Sequence, residues 1–138
     1  MKKIINSLFL LGMFVLPTFL LGQSDQPCTG GGAPNLSVGT TCSFTTASTV
    51  GFNLQTNANN GGTPSCDPFI ISSDGWFSFT APASGAVTIS TQAGSITDGV
   101  MALYSGTCTP TNLTEIGCND DANGTFMPEI TAGSLTPG

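Results

Sequence analysis

The chain has 138 residues, of which 39% are hydrophobic and 7% are charged, and two basic residues, eight acids and no His give a formal charge of −6. Because Lys2 and Lys3 are the only basic residues, the rest of the chain cannot neutralise phosphates, which excludes nucleic-acid binding. The absence of His disfavours Ser-His-Asp and Cys-His hydrolases, and the absence of His and of a Cys-x-x-Cys pair disfavours zinc. The sequence therefore predicts no enzyme.

The first residues have the pattern of a secretory signal peptide. Lys2 and Lys3 precede an apolar run over 8–21, which is broken by Pro17 and followed by the small residue Gly22. We expect cleavage after residue 22, a secreted domain over 23–138, and no membrane association after cleavage. Loss of the two lysines with the leader changes the formal charge from −6 to −8.

Short apolar alternations punctuated by Gly and Pro recur along the mature chain, with no competing helical period. The centre of the chain, 74–106, is expected to hold three consecutive strands and to be the most stable part. About seven strands without a helix predict an antiparallel β-sandwich. The predicted strands cover 36–44, 46–54, 75–80, 86–92, 100–104, 113–118 and 126–131, and a short apolar piece lies at 69–71.

The alternation also predicts which side chains share a face. In the first central strand, Phe77 and Phe79 lie on one face and Trp76 on the other. In the strand over 113–118, we expect Ile116 and Cys118 to share a face.

Five cysteines remain after the leader, and a secreted chain favours disulfides. Cys108 and Cys118 flank a hairpin-like segment and are expected to pair. Cys42 and Cys66 flank a Gly/Asn-rich excursion and form the second expected pair. Cys28 is then left over, with a partner expected beyond residue 138. The last residues form a turn with no strand after it, so we expect a domain truncated at its C-terminal strands.

Oxygen-bearing side chains alternate in the loop 119–124, which ends in Gly. This spacing is similar to the first half of an EF-hand calcium loop, but an Asn stands at the first position and no helices flank it. A calcium site formed by Asp98, Asp120, Asp121 and Asn123 is one interpretation. The alternative is a solvated polar turn, since Asn, Asp and Gly favour turns. A glycosidase pair is disfavoured because adjacent Asp120 and Asp121 diverge.

Trp76 is the only Trp, and a ring in polar surroundings could stack on a sugar. The alternative is that Trp76 is a core or semi-core residue covered by a loop or a neighbouring strand.

Five motifs in order resemble the bacterial pre-peptidase C-terminal (PPC-like) domain, in the form common in secreted multidomain proteins of Bacteroidetes. They are DGWFSF at 74–79, PASGAVTI at 82–89, DGVMALYSGTC at 98–108, CNDD at 118–121 and LTPG at 135–138. The resemblance implies a jelly-roll sandwich, secreted and non-catalytic, appended to peptidases, other hydrolases or adhesins. It also implies a further strand and a late Cys after LTPG, and calcium bound in some relatives at positions like Asp98, Asp120 and Asp121.

The expected function is that of an accessory module of a larger extracellular protein, which assists substrate or surface binding. The expected partner is an extracellular polysaccharide, a protein substrate, or a neighbouring domain of the same chain. The alternatives are a structural adhesin-type spacer and a carbohydrate-binding module.

Overall fold

A computed structural model describes residues 33–52, 63–67, 73–106 and 113–138, so the predicted leader and the apolar piece at 69–71 lie outside the described residues. The described part is all-β and contains no helix, as expected, and therefore no helix long and apolar enough to cross a membrane. Its six strands are β1 (Asn35–Leu36), β2 (Ser78–Phe79), β3 (Val87–Ser90), β4 (Met101–Gly106), β5 (Leu113–Asn119) and β6 (Glu129–Ala132).

The strands form three two-stranded sheets. β3 pairs antiparallel with β6, and β4 pairs antiparallel with β5, whereas β1 and β2 are parallel. The three central strands β2, β3 and β4 thus pair with three different strands and not with one another. Alternation locates a strand but does not specify its partner, because pairing depends on side-chain contacts between segments distant in sequence.

The N-terminal strands are much shorter than expected. Of the predicted strand over 36–44, only Leu36 lies in β1, and no strand occurs over 46–52. The apolar side chains of Val38, Phe44 and Val50 are exposed instead of packed, Val50 by 90%. Within the described part of the chain, residues 37–44 and 46–52 pair with no strand, so Val38, Phe44 and Val50 gain little from an extended conformation.

The core lies where β3 and β6 meet β4. Leu103, Ile130 and Ala132 are buried, and half-buried apolar side chains surround them, among them Phe79 and Leu135. On β5, Gly117 leaves room for Ile130, whose Cγ2 lies 3.6 Å from the position of a Cβ on that glycine. Burial of these few side chains drives the association of the two antiparallel sheets.

Ile116, which we expected to share a face with Cys118, is 43% exposed, whereas Cys118 is half-buried. Leu103 lies opposite Gly117 and the next residue, Tyr104, lies opposite Glu115, so Ile116 has no cross-strand partner. A β-bulge of this kind adds one residue to a strand and reverses the face of the residues that follow.

The last strand also begins later than expected. It starts at Glu129, and Phe126 lies before it with 65% of its surface exposed. Pro128 directly precedes β6 and has no N–H for a ladder hydrogen bond, which favours a start after it.

The predicted turn at 82–85 is confirmed, and residues 135–138 lie against it. Gly85 N–H donates to the Pro82 carbonyl at 2.9 Å, and Gly85 has a φ of 65°. Leu135 N–H donates to the Gly85 carbonyl at 2.9 Å, and Gly138 N–H donates to the Ala81 carbonyl at 3.2 Å. Two of the motifs in the sequence, PASG and LTPG, therefore lie against each other.

Candidate metal site and aromatic cluster

The β4–β5 hairpin brings three acids together. Met101, at the start of β4, lies opposite Asn119, at the end of β5. Asp98 precedes β4 and Asp120 and Asp121 follow β5, so the three acids meet at the same end of the hairpin. One carboxylate oxygen of each lies within 4.8 Å of the others, and all three side chains are exposed. We call Asp98, Asp120 and Asp121 the acid triad.

The spacing of these oxygens suits a calcium ion. Since Ca–O distances are about 2.3–2.6 Å, two oxygens bound to the same ion lie at most about 5 Å apart. The triad meets this condition and supplies carboxylate oxygens, the ligand type that calcium prefers. Water or carbonyl oxygens would supply the remaining ligands of the about six to eight that calcium takes.

The triad carries uncompensated negative charge. Desolvation within the cluster, together with the charges of Asp121, Asp98 and Asp67, raises the pKa of Asp120. Lys2 and Lys3 are the only cationic side chains of the chain, so none in the described residues offsets this repulsion. A divalent cation is the simplest group that would relieve it.

The loop after the triad is a tight turn connected to β6. Asn123 has a φ of 54° and Gly124 a φ of 74°, and Thr125 N–H donates to the Ala122 carbonyl at 2.9 Å, which is the hairpin turn that Asn-Gly favours. This agrees with the polar-turn alternative for 122–125. Asn123 Nδ2 donates a hydrogen bond to Glu129 Oε1 at 3.4 Å. The role of Asn123 as a calcium ligand stays a prediction.

Glu129 connects the acid loop to the core sheet, a role that the sequence did not indicate. Its Oε2 accepts a hydrogen bond from Ser90 Oγ at 2.7 Å, and its backbone N–H donates to Asn119 Oδ1 at 3.1 Å. Ser90 lies directly opposite Glu129 across β3 and β6. The only signal in the sequence was an acid one residue short of the twelfth position of an EF-hand loop.

Trp76 lies against the only tyrosine. The rings of Trp76 and Tyr104 have centroids 5.6 Å apart and are tilted by 36°. Trp76 is half-buried, and its buried Nε1 has no hydrogen-bond partner among the described residues. This position agrees with the semi-core alternative, while the stacking role stays a prediction.

Tyr104 faces carboxylates as well as the indole. Burial, with the negative charges of Glu115 and Asp74, raises the pKa of Tyr104. Glu115 lies directly opposite Tyr104 and accepts hydrogen bonds from Ser65 N–H, at 2.9 Å, and from Ser65 Oγ. The segment 63–67 is thereby fastened to β5, a contact that alternation along the strands could not reveal.

Both predicted disulfides are wrong. Cys66 and Cys118 form a disulfide with a Cα–Cα distance of 5.6 Å, and Cys66 N–H also donates to Cys118 Sγ at 3.2 Å. Cys42 is exposed and free. Cys28 and Cys108 lie outside the described residues.

The register of the hairpin explains why Cys118 does not pair with Cys108. Leu113 lies opposite Gly106 at the turn end of the hairpin, whereas Cys118 lies opposite Ala102, at the far end. Five residues of strand extend about 17 Å at about 3.4 Å per residue, which is beyond the Cα separation of a disulfide. The Ser65–Glu115 contact brings Cys66 to this far end instead.

No protein-family model matches the chain, and no curated protein or solved structure shows a significant match to it.

Proposed function

We propose that the chain is a secreted, non-catalytic accessory module of a larger extracellular protein, with a jelly-roll-like sandwich stabilised by calcium in the acid triad. The observation that carries the proposal is the convergence of three carboxylate oxygens within 4.8 Å of one another. A hairpin end that holds three like charges with no nearby cation suits a divalent ion better than an apo state.

The non-catalytic role is supported by the composition of the chain. It has no His, and Lys2 and Lys3 are its only basic residues, so His and Lys bases and anion-stabilising cations are absent from the rest of the chain. Asp120 and Asp121 also lack the arrangement of a glycosidase pair, because they share one loop instead of facing each other across a cleft.

The proposed sandwich gains support from two contacts. The β4 residue Leu103 packs with Ile130 and Ala132 of β6, which places the two antiparallel sheets in one core. The PASG and LTPG motifs are joined by the hydrogen bond between Leu135 and Gly85, so residues that carry the resemblance also contact each other. The implied partners are an extracellular polysaccharide, a protein substrate or a neighbouring domain.

Calcium would connect two loops that otherwise repel each other. Asp98 belongs to the loop before β4, and Asp120 and Asp121 belong to the loop after β5. An ion shared between them would fix the open end of the hairpin and, through the Asn119–Glu129 hydrogen bond, the start of β6. In an extracellular setting, millimolar calcium makes such a weak, exposed site sufficient.

Calcium titration of the mature, oxidised protein, followed by thermal unfolding, tests this proposal. Binding to the native state alone stabilises it by about 2.7 kcal/mol at a hundredfold excess over Kd, which raises the midpoint clearly. Asp121→Asn should abolish the rise. Asp74→Asn, which removes the same charge outside the triad, should retain it. No rise at millimolar calcium, or an equal rise in Asp121→Asn, would contradict the proposal.

A second candidate function is carbohydrate binding by stacking on the half-buried ring of Trp76, whose Nε1 has no hydrogen-bond partner among the described residues. A glycan array with the wild-type protein should show binding that Trp76→Ala removes and Trp76→Phe partly retains. Binding that survives Trp76→Ala would place the sugar elsewhere, and no binding to any glycan would eliminate this candidate.

A further inference from the structure

The turn at 122–125 joins an asparagine to a glycine on the surface. Asn123 and Gly124 are exposed and occupy its two central positions, both with positive φ. One backbone hydrogen bond, from Thr125 N–H to the Ala122 carbonyl, closes it. The Thr125 hydroxyl adds a hydrogen bond of 2.8 Å to the same carbonyl and accepts one from Met127 N–H at 3.2 Å.

We propose that Asn123 is a site of spontaneous deamidation in the folded protein. The backbone nitrogen of Gly124 attacks Asn123 Cγ, so that a nitrogen–Cγ bond forms and the Cγ–Nδ2 bond breaks. The proton lost by the Gly124 nitrogen leaves with Nδ2 as ammonia. Water then opens the cyclic succinimide at either carbonyl and gives aspartate or isoaspartate. No electron transfer occurs, and water is the only co-reactant.

The attacking atom, the backbone nitrogen of Gly124, is unusually accessible. Gly124 has no side chain, and nothing lies within 4 Å of the position that a Cβ would occupy. Within the described residues its N–H donates no hydrogen bond, because the bond that closes the turn belongs to Thr125. The Asn123 amide is held by one long hydrogen bond of 3.4 Å to Glu129.

The left-handed conformation of Asn123 must relax before the Gly124 nitrogen can reach Cγ. This relaxation breaks the hydrogen bonds of Thr125 and leaves the core sheets intact, so it needs only local opening. Asn119 offers a contrast in the same loop. It is half-buried, its Oδ1 accepts from Glu129 N–H at 3.1 Å, and Asp120 follows it in place of glycine.

The reaction changes the loop chemically. The Nδ2 donor to Glu129 is replaced by a carboxylate, so an attraction becomes a repulsion between two acids. Isoaspartate also inserts a methylene into the backbone of a two-residue turn, which alters its geometry. The surface around the acid triad becomes more negative with the age of the protein, whether or not a metal binds there.

Peptide mapping of aged protein tests this proposal. The mature oxidised protein is incubated in warm, mildly alkaline buffer, then reduced and cleaved with a Glu-specific protease, because it contains no Lys or Arg for trypsin. Cleavage after Glu115 and Glu129 yields the peptide 116–129, which contains both Asn119 and Asn123. Mass spectrometry should find aspartate and an excess of isoaspartate at Asn123, increasing with time, and none at Asn119.

Two variants test the mechanism. Thr125→Val removes the hydroxyl that holds the turn and should accelerate the conversion several-fold, whereas Asn123→Gln should stop it. A thermal melt of each variant checks that it is folded. The proposal is overturned if Asn123 stays intact in the folded protein while the isolated peptide 116–129 reacts, if Asn119 reacts equally, or if Thr125→Val leaves the rate unchanged.

Discussion

Substitution of Gly85 by Ala should destabilise the protein more than any other glycine-to-alanine change in the described part of the chain. Gly85 is buried, has a φ of 65°, and a Cβ added to it would lie 2.8 Å from the Leu135 carbonyl oxygen. That atom belongs to the backbone and cannot move aside without displacing the segment that follows β6. The turn and the terminus would have to separate.

The cost has two parts. A left-handed conformation costs a residue with a Cβ about 1–2 kcal/mol. Separation of the terminus also weakens the hydrogen bond from Leu135 N–H to the Gly85 carbonyl, worth about 0.5–1.5 kcal/mol. Together these predict a loss of about 1.5–3.5 kcal/mol in the free energy of unfolding.

Urea denaturation of three matched variants separates the two parts. Gly51 has a φ of 85° but nothing within 4 Å of its Cβ position, so Gly51→Ala should show the conformational cost alone. Gly94 has open space and no positive φ, so Gly94→Ala should be close to neutral. The midpoint should fall in the order Gly94, Gly51, Gly85 with an unchanged slope. A loss in Gly85→Ala no larger than in Gly51→Ala would refute the contact with Leu135.

Three further predictions follow from the described contacts. Replacement of Cys66 and Cys118 by Ala should lower the free energy of unfolding by about 4 kcal/mol, since the bond closes a loop of about 50 residues. Asp120→Asn should stabilise the metal-free protein at neutral pH but not below the ordinary pKa of Asp, because the repulsion exists only when Asp120 is charged. Tyr104 should titrate above its ordinary pKa, so stability falls as the pH rises through that range, and Glu115→Gln should bring the pKa partly back.

Each of these has a simple check. Guanidinium unfolding of the double Cys variant is compared with that of Cys42→Ala, which removes a free exposed thiol and should change little. Stability of Asp120→Asn is measured across acidic to neutral pH, and a gain that persists at low pH would contradict the electrostatic cause. A phenolate absorbance titration reports Tyr104 alone, since the chain has a single Tyr. An ordinary pKa there would exclude both burial and the carboxylates as influences.

The sequence located strands well wherever alternation was strong. β3, β4 and β5 fall inside or within two residues of the predicted segments, because β-branched and aromatic residues at period two fit a pleated surface. It failed where a strand needs a partner to exist. The segment around Val50 has a weaker strand pattern and no neighbouring strand in the described chain, and the Val50 side chain stays exposed.

The pairing between strands accounts for the remaining differences between the predicted and the observed structure. The bulge at Ile116 and the position of Cys118 opposite Ala102 both follow from the register of one hairpin, which local pattern does not encode. The meeting of Asp98 with the acids after β5 depends on the same register. Sequence reasoning reached that grouping through the preference of calcium for clustered oxygens, whereas the Ser65–Glu115 contact had no comparable chemical signal.

The β4–β5 hairpin connects the acid triad to the disulfide. Its open end carries the acid triad, and Cys118, only two residues before Asp120, is covalently joined to the segment 63–67. The disulfide therefore restrains the strand that positions two of the three carboxylates. This restraint helps to hold the three like charges close together. A cation bound by the three carboxylates would replace their repulsion by attraction. The end of the hairpin would then be held by the ion as well as by the disulfide.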